Sequence, residues 1–446
     1  MLPIAILATI LGTAKSPNGF LRPARGWNSW GIQATPNTTP SFPQLPGRVV
    51  NQEFIMEQCT VLVEPDLRAA GYDLCSVDGG WYSSLTDEFG RVTHNTTLFD
   101  IPALSDYLHG KGLKMGLYSQ PGIPCEARDK QIFGSNLTVG STFIDHVDKN
   151  DNCYFDYSNP ATQLYHDELI ALWAAWGVDM IKLDYVTPGS NIEDTRMPGN
   201  LSATGIAYHR AIAKSGRQIQ LDISSNVCRS DPYWGIWTSN ADSIRVDTDI
   251  NSYGEDVFVG MPNVQRAIEN YRQFVNLQLV DNKPVTLRGN LDNLFVGNPA
   301  NTTGVTDNQR ITLMSLWIGA SSNLLLGSDM TNLDSLGRYL TTSRPSIEAA
   351  DFCAEYPMQP RNPGTGSNQA KQLQAWIAGP DQKGNAYALL TNLGPNHGDG
   401  GYVTVGVGRQ NVSITLADLG LRGGRLNMHS ELVSPAYFVY INYQDK

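Results

Sequence analysis

Between Arg25 and Asp329 the chain alternates short apolar runs with amphipathic ones about eight times, and few folds accommodate that rhythm. The apolar runs are Arg25–Gly31, Tyr72–Trp81, Lys114–Gln120, Met180–Val186, Gln218–Ser225, Ser243–Ile250, Pro284–Arg288 and Asn323–Asp329. Between them, Asn51–Ala70, Ile101–His109, Thr162–Trp176, Ile206–Lys214, Val264–Leu279 and Asn308–Ile318 carry apolar residues at helical spacing. A strand that returns parallel to its predecessor needs a long crossover, usually a helix, so the pattern predicts a parallel sheet covered by helices. About eight repeats over roughly 300 residues match a (β/α)8 TIM barrel. The competing architecture is a doubly wound open sheet, but no G-x-G-x-x-G follows the first strand.

Several of these runs end in an acid. In Met180–Val186, Lys182 and Asp184 stand two apart, so in a strand both project from one face. Lysine and aspartate are rarely buried unpaired. One reading is a structural ion pair inside the barrel, the other a polar site at the strand's C-terminal end. The recurrence of terminal acids favours the site, because barrel chemistry gathers at the C-terminal ends of strands. Collected there are Trp30, Asp78, Tyr118, Lys182, Asp184, Ser225, Arg245, Asp249 and Asp292. Aspartates among cations and aromatic faces suit a carbohydrate: rings stack on sugar C–H patches, and charged groups hold hydroxyls. Glycoside cleavage needs one ionised and one protonated carboxyl group. With Lys182 nearby, Asp184 is the expected ionised member, and Asp249 the expected proton donor, raised by Asp247. Asp247 and Asp249 share a strand face, so spacing alone leaves open which of them is the acid.

The remaining chain bounds the setting. A net charge of -11 argues against a nucleic-acid partner. Residues 1–14 form an apolar run ending Gly12-Thr13-Ala14, too short to span a bilayer and read as a secretory signal peptide. Sequons at Asn37, Asn95, Asn136, Asn200, Asn301 and Asn411 fit a secreted glycoprotein, and no second long apolar run predicts a membrane span in the mature form. Six cysteines permit three disulfides in fifteen connectivities; without C-x-x-C pairs no zinc or other metal site is assigned, and two-carboxylate chemistry calls for no cofactor. From about Ser335 the texture turns β-rich, with Gln372–Ala378, Ala386–Asn392, Gly401–Gly406 and Ala436–Ile441 as strands. A barrel over 25–333 followed by a smaller antiparallel β-sandwich domain over 335–446 is the expected organisation, the second part packing against the first.

The motifs Gly26-Trp-Asn-Ser-Trp30, Ala70-Gly-Tyr-Asp with Val77-Asp-Gly-Gly-Trp81, Gly112-Leu-Lys-Met-Gly-Leu-Tyr118, Lys182-Leu-Asp184 and Arg245-x-x-x-Asp249-Ile, in this order, resemble glycoside hydrolase family 27. That family holds retaining α-galactosidases and α-N-acetylgalactosaminidases. The resemblance implies Asp184 as nucleophile, Asp249 as acid/base, Trp30 as pocket wall, Asp78 on sugar hydroxyls, and Tyr118, Lys182 and Arg245 on the bound sugar. It also implies Asp292 as an acid near the acid/base, and an oligosaccharide or polysaccharide substrate. Two departures bear on the glycone. Family galactosidases carry two successive acids on the second strand, where this chain has Gly79 after Asp78; that favours a β-L-arabinopyranoside, a galactoside lacking C6. Ser225 stands near where N-acetylgalactosaminidases carry serine. The family cysteine just after the nucleophile is replaced by Val186, so Cys125 is expected to pair elsewhere, with Cys153. A sugar-binding protein without catalysis is the reading from another class, and the presence of both aspartates argues against it.

Overall fold

The computed structural model describes residues 12–35, 50–190, 197–252, 256–361, 372–398, 400–412, 415 and, as backbone, 425–430 and 436–444. The signal-peptide segment up to residue 11 and the sequon at Asn37 lie outside the described residues.

Eight parallel strands form one sheet: β1 (Arg25–Asn28), β2 (Leu74–Val77), β3 (Lys114–Ser119), β4 (Val178–Leu183), β5 (Gln220–Ile223), β6 (Ser243–Arg245), β7 (Arg288–Asn290) and β8 (Leu324–Leu326). Each pairs with its sequence neighbour from β1 to β7, and β1 also pairs with β8. The remaining edges meet just past β7, where Leu294 N–H donates to the Leu325 carbonyl at 2.8 Å and Gly327 N–H to the Leu294 carbonyl at 3.2 Å. The sheet therefore curls back on itself. In place of the expected strand Pro284–Arg288, the chain pairs at Arg288–Asn290, where Ser243, Ile244 and Arg245 of β6 are in register with it.

Crossover helices run Pro160–Ala175, Ser202–Ser215, Met261–Asp281 and Asp307–Gly319, among others. Their starts follow local chemistry. Pro160 and Pro262 sit in the first turn, where a missing N–H costs nothing. Asn159 accepts from Ala161 N, and Thr306 with Gln309 forms a capping box, caps typically worth about 1 kcal/mol each. Pro65 divides the expected helix Asn51–Ala70 into Gln52–Thr60, a short 3-10 turn and Pro65–Ala69. Between strands and helices lies the core, with Trp27, Val77, Leu117, Ile181, Leu221, Ile244 and Leu326 inaccessible to solvent. Each such aliphatic contributes about 1.5–3 kcal/mol relative to exposure.

Two insertions rim the strand ends: a hairpin Tyr82–Thr86/Val92–His94, and a three-stranded sheet of Ile123–Pro124, Phe143–Val147 and Asn152–Phe155. Disulfides join Cys59 to Cys75 and Cys125 to Cys153, the second as expected; Cys228 and Cys353 are unpaired, so the third permitted bridge is not formed. Residues 335–355, expected to open the β-rich part, are mostly two helices, Ser335–Thr342 and Arg344–Glu355. A five-stranded antiparallel sheet follows, built from Gln359–Pro360, Leu373–Ala378, Asn385–Asn392, Arg425–Ser430 and Ala436–Gln444. Gly401–Gly406, expected as a strand, is irregular. This sheet packs on the helix Met261–Asp281: Gln265 Nε2 donates to the Leu393 and Pro395 carbonyls at 2.9 Å, and the Tyr271 ring lies 5.9 Å from Trp376. Among the described residues no helix is long and apolar enough to cross a membrane.

Candidate active site

The C-terminal strand ends converge on a cavity of about 480 Å³, within the usual range for small-ligand sites. Trp30, Asp78, Tyr118, Asp184 and Asp249 line it. Lys182, Arg245 and Asp292 stand just behind them, buried.

Asp78 follows the last residue of β2. Its Oδ2 accepts from Lys182 Nζ at 2.8 Å and Asn28 Nδ2 at 3.2 Å, while Oδ1 accepts from Gly79 N–H at 2.9 Å. Lys182 thus pairs across the barrel with Asp78 and lies 5.7 Å and 6.0 Å from the Tyr118 and Trp30 ring centroids. Burial disfavours its ammonium, but the carboxylates of Asp78, Asp184 and Asp249 outweigh that and hold the pKa above the ordinary lysine value.

Asp184 follows the last residue of β4. Its N–H donates to the Ser119 carbonyl at 2.8 Å, and Oδ1 accepts from Tyr185 N–H at 2.8 Å. Tyr185 has φ 55°, a left-handed conformation uncommon for a bulky residue, and turns the chain away just after the carboxylate. The expectation that Lys182 holds Asp184 low is overturned. Burial pushes the Asp184 pKa up, Lys182 offsets part of that, and Asp249 and Asp78 add to the rise. The physical reason is that burial, with two neighbouring carboxylates, outweighs the pull of the Lys182 ammonium.

Asp249 lies beyond β6, which ends at Arg245. Trp30 Nε1 donates to its Oδ2 at 3.0 Å, and Arg245 Nη2 reaches Oδ1 at 3.1 Å. The same guanidinium group meets Asp292 Oδ2 at 2.9 Å, which also accepts from Ile250 N–H at 2.9 Å. Burial pushes Asp292 up to about 6; Arg245 pulls it down and Asp249 pushes it further up. Arg245 Nε is buried without a protein partner.

Asp247 does not join this group. Arg266 Nε donates to its Oδ2 at 2.8 Å and Asn270 Nδ2 to its Oδ1 at 3.1 Å, both from the helix that carries the C-terminal sheet. Strand alternation put Asp247 and Asp249 on one face, but the strand stops at Arg245 and the alternation stops with it. Ser225, two residues beyond β5, exchanges hydrogen bonds with Ser190 and is not part of the cavity lining.

Other wall residues were not singled out from sequence: Tyr82 on the hairpin, Asp148, Lys149, Asn150 and Tyr154 on the three-stranded insertion, and Met197. Tyr82 had a signal, since the turn Asp87-Glu-Phe-Gly90 between two short runs marks a hairpin placed directly after the β2 site residues.

The family described as Alpha galactosidase A matches residues 22–172. "Putative alpha-galactosidase 8" of Emericella nidulans is 71% identical over 414 residues, 92% of this chain and 82% of that protein. "Alpha-galactosidase 3" of Hypocrea jecorina is 46% identical over 418 residues, 93% and 67% respectively. The fold is shared with a family 27 β-L-arabinopyranosidase of Geobacillus stearothermophilus, TM-score 0.74 at 19% identity over 95% of this chain and 98% of that one. It is also shared with an α-galactosidase of Saccharomyces cerevisiae, TM-score 0.58 at 19% identity over 85% and 76%. An aspartate-lined sugar-sized cavity at the strand ends, in a chain so close in sequence to these fungal proteins, makes this an α-galactosidase-like glycosidase belonging to glycoside hydrolase family 27.

Proposed function

We propose that the enzyme is a secreted, retaining glycosidase that removes terminal α-D-galactoside-like residues from oligosaccharides or polysaccharides by double displacement. The observation that carries this reading is that Asp184 and Asp249 face one cavity while Asp249 alone is held by Trp30 and Arg245. Asp184 attacks the anomeric carbon as Asp249 gives its proton to the leaving oxygen; Asp249 then takes a proton from the water that releases the sugar. Asp78, with Lys182 fixing it, accepts from hydroxyl groups, Tyr118 and Trp30 offer ring faces, and Arg245 holds Asp249 from behind the lining. Asp292 shares Arg245 with Asp249 and tunes the acid/base. The test is proton NMR of the first-formed sugar from a nitrophenyl α-D-galactoside. Retained configuration is expected, and an inverted anomer would exclude a glycosyl-enzyme on Asp184.

Gly79 favours a second reading of the glycone, a β-L-arabinopyranoside, because no second acid stands beside Asp78 to hold a C6 hydroxyl. Nitrophenyl substrates of both sugars separate the two. Export is supported by the two disulfides and by exposed sequon asparagines at 136, 200, 301 and 411. A mass loss on enzymatic removal of N-glycans from protein recovered from culture medium tests it, and purely intracellular, unglycosylated protein would overturn it.

A further inference from the structure

A second cavity, also about 480 Å³, adjoins the first. The two share Tyr82, Tyr118, Gln120, Gly122 and Asn150, whereas Trp30, Asp78, Gly79, Asp184 and Asp249 line only the first. The Tyr82 and Tyr118 rings lie parallel within 10°, centroids 6.3 Å apart, at this junction. Beyond it the space runs between the hairpin and the chain after β3, with Leu85, Val92 and Pro124 as its apolar wall.

Where this space lies relative to the chemistry follows from the shape of a pyranose. C1 must sit between Asp184 and Asp249, so the leaving group departs on the Asp249 side. The far edge, C4 with the group on C5, then faces the rest of the lining, where Asp78 and Gly79 follow β2. Gly79 leaves that edge uncapped: a Cβ there would meet nothing nearer than the Tyr118 ring at 3.9 Å. Past the same ring lies the second cavity. Tyr118, the ring nearest Gly79, lines both cavities, whereas Trp30 and Asp249 do not line the second, so the second cavity adjoins the Gly79 edge rather than the Asp249 side. Among the described residues the Gln120 and Asn150 side-chain amides make no hydrogen bond to the protein, so both junction amides are available to hydroxyl groups.

We propose that the second cavity receives a further sugar residue carried on the C4–C6 edge of the galactose-like unit, so that the enzyme cleaves substituted as well as terminal galactosyl units. This rests on the roles given above to Asp184 and Asp249. The reaction is unchanged at C1: the bond to the leaving oxygen breaks as the bond to Asp184 forms, Asp249 supplies the proton, and water later releases the disaccharide with its internal linkage intact.

The probe is the 4-nitrophenyl α-glycoside of galactosyl-α-1,6-galactose. The wild type should release nitrophenol together with intact disaccharide as the first sugar product, followed by mass spectrometry. Val92→Trp, filling the second cavity from a position outside the first, should cut that release at least tenfold and leave nitrophenyl α-D-galactoside turnover within twofold. Ser84→Trp, at an exposed hairpin position, serves in its place if turnover of the simple substrate shows Val92→Trp misfolded. Galactose appearing before any nitrophenol, or disaccharide release unchanged in a folded filled variant, would overturn the proposal. Failure of the wild type on both simple nitrophenyl glycosides would instead defeat the roles of Asp184 and Asp249.

Discussion

Lys182 Nζ on β4 reaches Oδ2 of Asp78, just past β2, at 2.8 Å, and the two side chains are only 11% and 2% exposed. Removing one partner of a buried pair leaves the other charged and unmatched, which costs about 3–5 kcal/mol. Lys182→Met and Asp78→Asn should each lower stability on that scale, while the double variant should cost clearly less than their sum. Urea unfolding of the four proteins checks this. Strict additivity would mean that Lys182 is balanced by Asp184 and Asp249 rather than by Asp78.

The division of labour among the aspartates is the second expectation. Asp249→Asn should lower kcat by about 10²–10⁴, the usual worth of general acid–base catalysis. Asp184→Asn should lose at least as much, and azide should restore turnover to Asp184→Gly by replacing the missing nucleophile. Asp247→Asn, which loosens the contacts to Arg266 and Asn270 outside the cavity, should cost less than either. If Asp247→Asn were the more damaging change, the acid/base would have been assigned to the wrong residue.

That second expectation marks how far sequence carries the site. Buried parallel strands read as apolar runs, so Met180–Val186 and Asn323–Asp329 were legible, and terminal acids such as Asp78 and Asp184 stood out because a charge at the end of an apolar run needs a reason. Strand periodicity says nothing about where a strand stops. Asp247 was left beside Asp249 because the bend after Arg245 has no pattern of its own. Asp292 was collected with the strand-end acids, but its place beside the acid/base came only from resemblance; it lies at φ 84°, with its carboxylate accepting from Ile250 N–H and its carbonyl from Trp317 Nε1. The cavity wall from Asp148 to Tyr154 was invisible for another reason: its short strands pair within a small three-stranded sheet apart from the barrel, giving neither a core alternation nor a helical one.

Asp292 gives the protein a pH-dependent term whose sign follows from its shift. Burial raises its pKa from 3.8 to about 6, so the folded state holds its proton where the unfolded state has lost it. The resulting stability is fully present below pH 4 and is lost as pH rises through about 6. Asp292→Asn lacks this term. Across pH 4 to 6 the wild-type Tm should therefore fall relative to that of Asp292→Asn, whatever constant offset the altered contact with Arg245 adds. Parallel Tm curves would mean that Arg245 keeps Asp292 ionised throughout.

Gly79 carries the glycone question. A carboxylate at this position would give a hydroxyl at C6 a charge-assisted hydrogen bond, typically about twice as strong as a neutral one. Its absence removes a contact that only the C6-bearing sugar could make, and a site discriminates through the groups that the wrong substrate leaves unpaired. Gly79 does not occupy a left-handed conformation, and an added Cβ would make only ordinary contact with the Tyr118 ring at 3.9 Å. Gly79→Asp should therefore fold, and should raise the ratio of kcat/KM for nitrophenyl α-D-galactoside to that for the β-L-arabinopyranoside by about tenfold, the equivalent of about 1.4 kcal/mol from one hydrogen bond. Gly79→Ala separates charge from bulk, and its ratio should stay near the wild-type value. The same aspartate would narrow the way past Tyr118, so Gly79→Asp should also slow disaccharide release from the substituted substrate. A ratio that stays flat in folded Gly79→Asp would mean that another group of the junction wall, such as Tyr82, already answers the C6 hydroxyl.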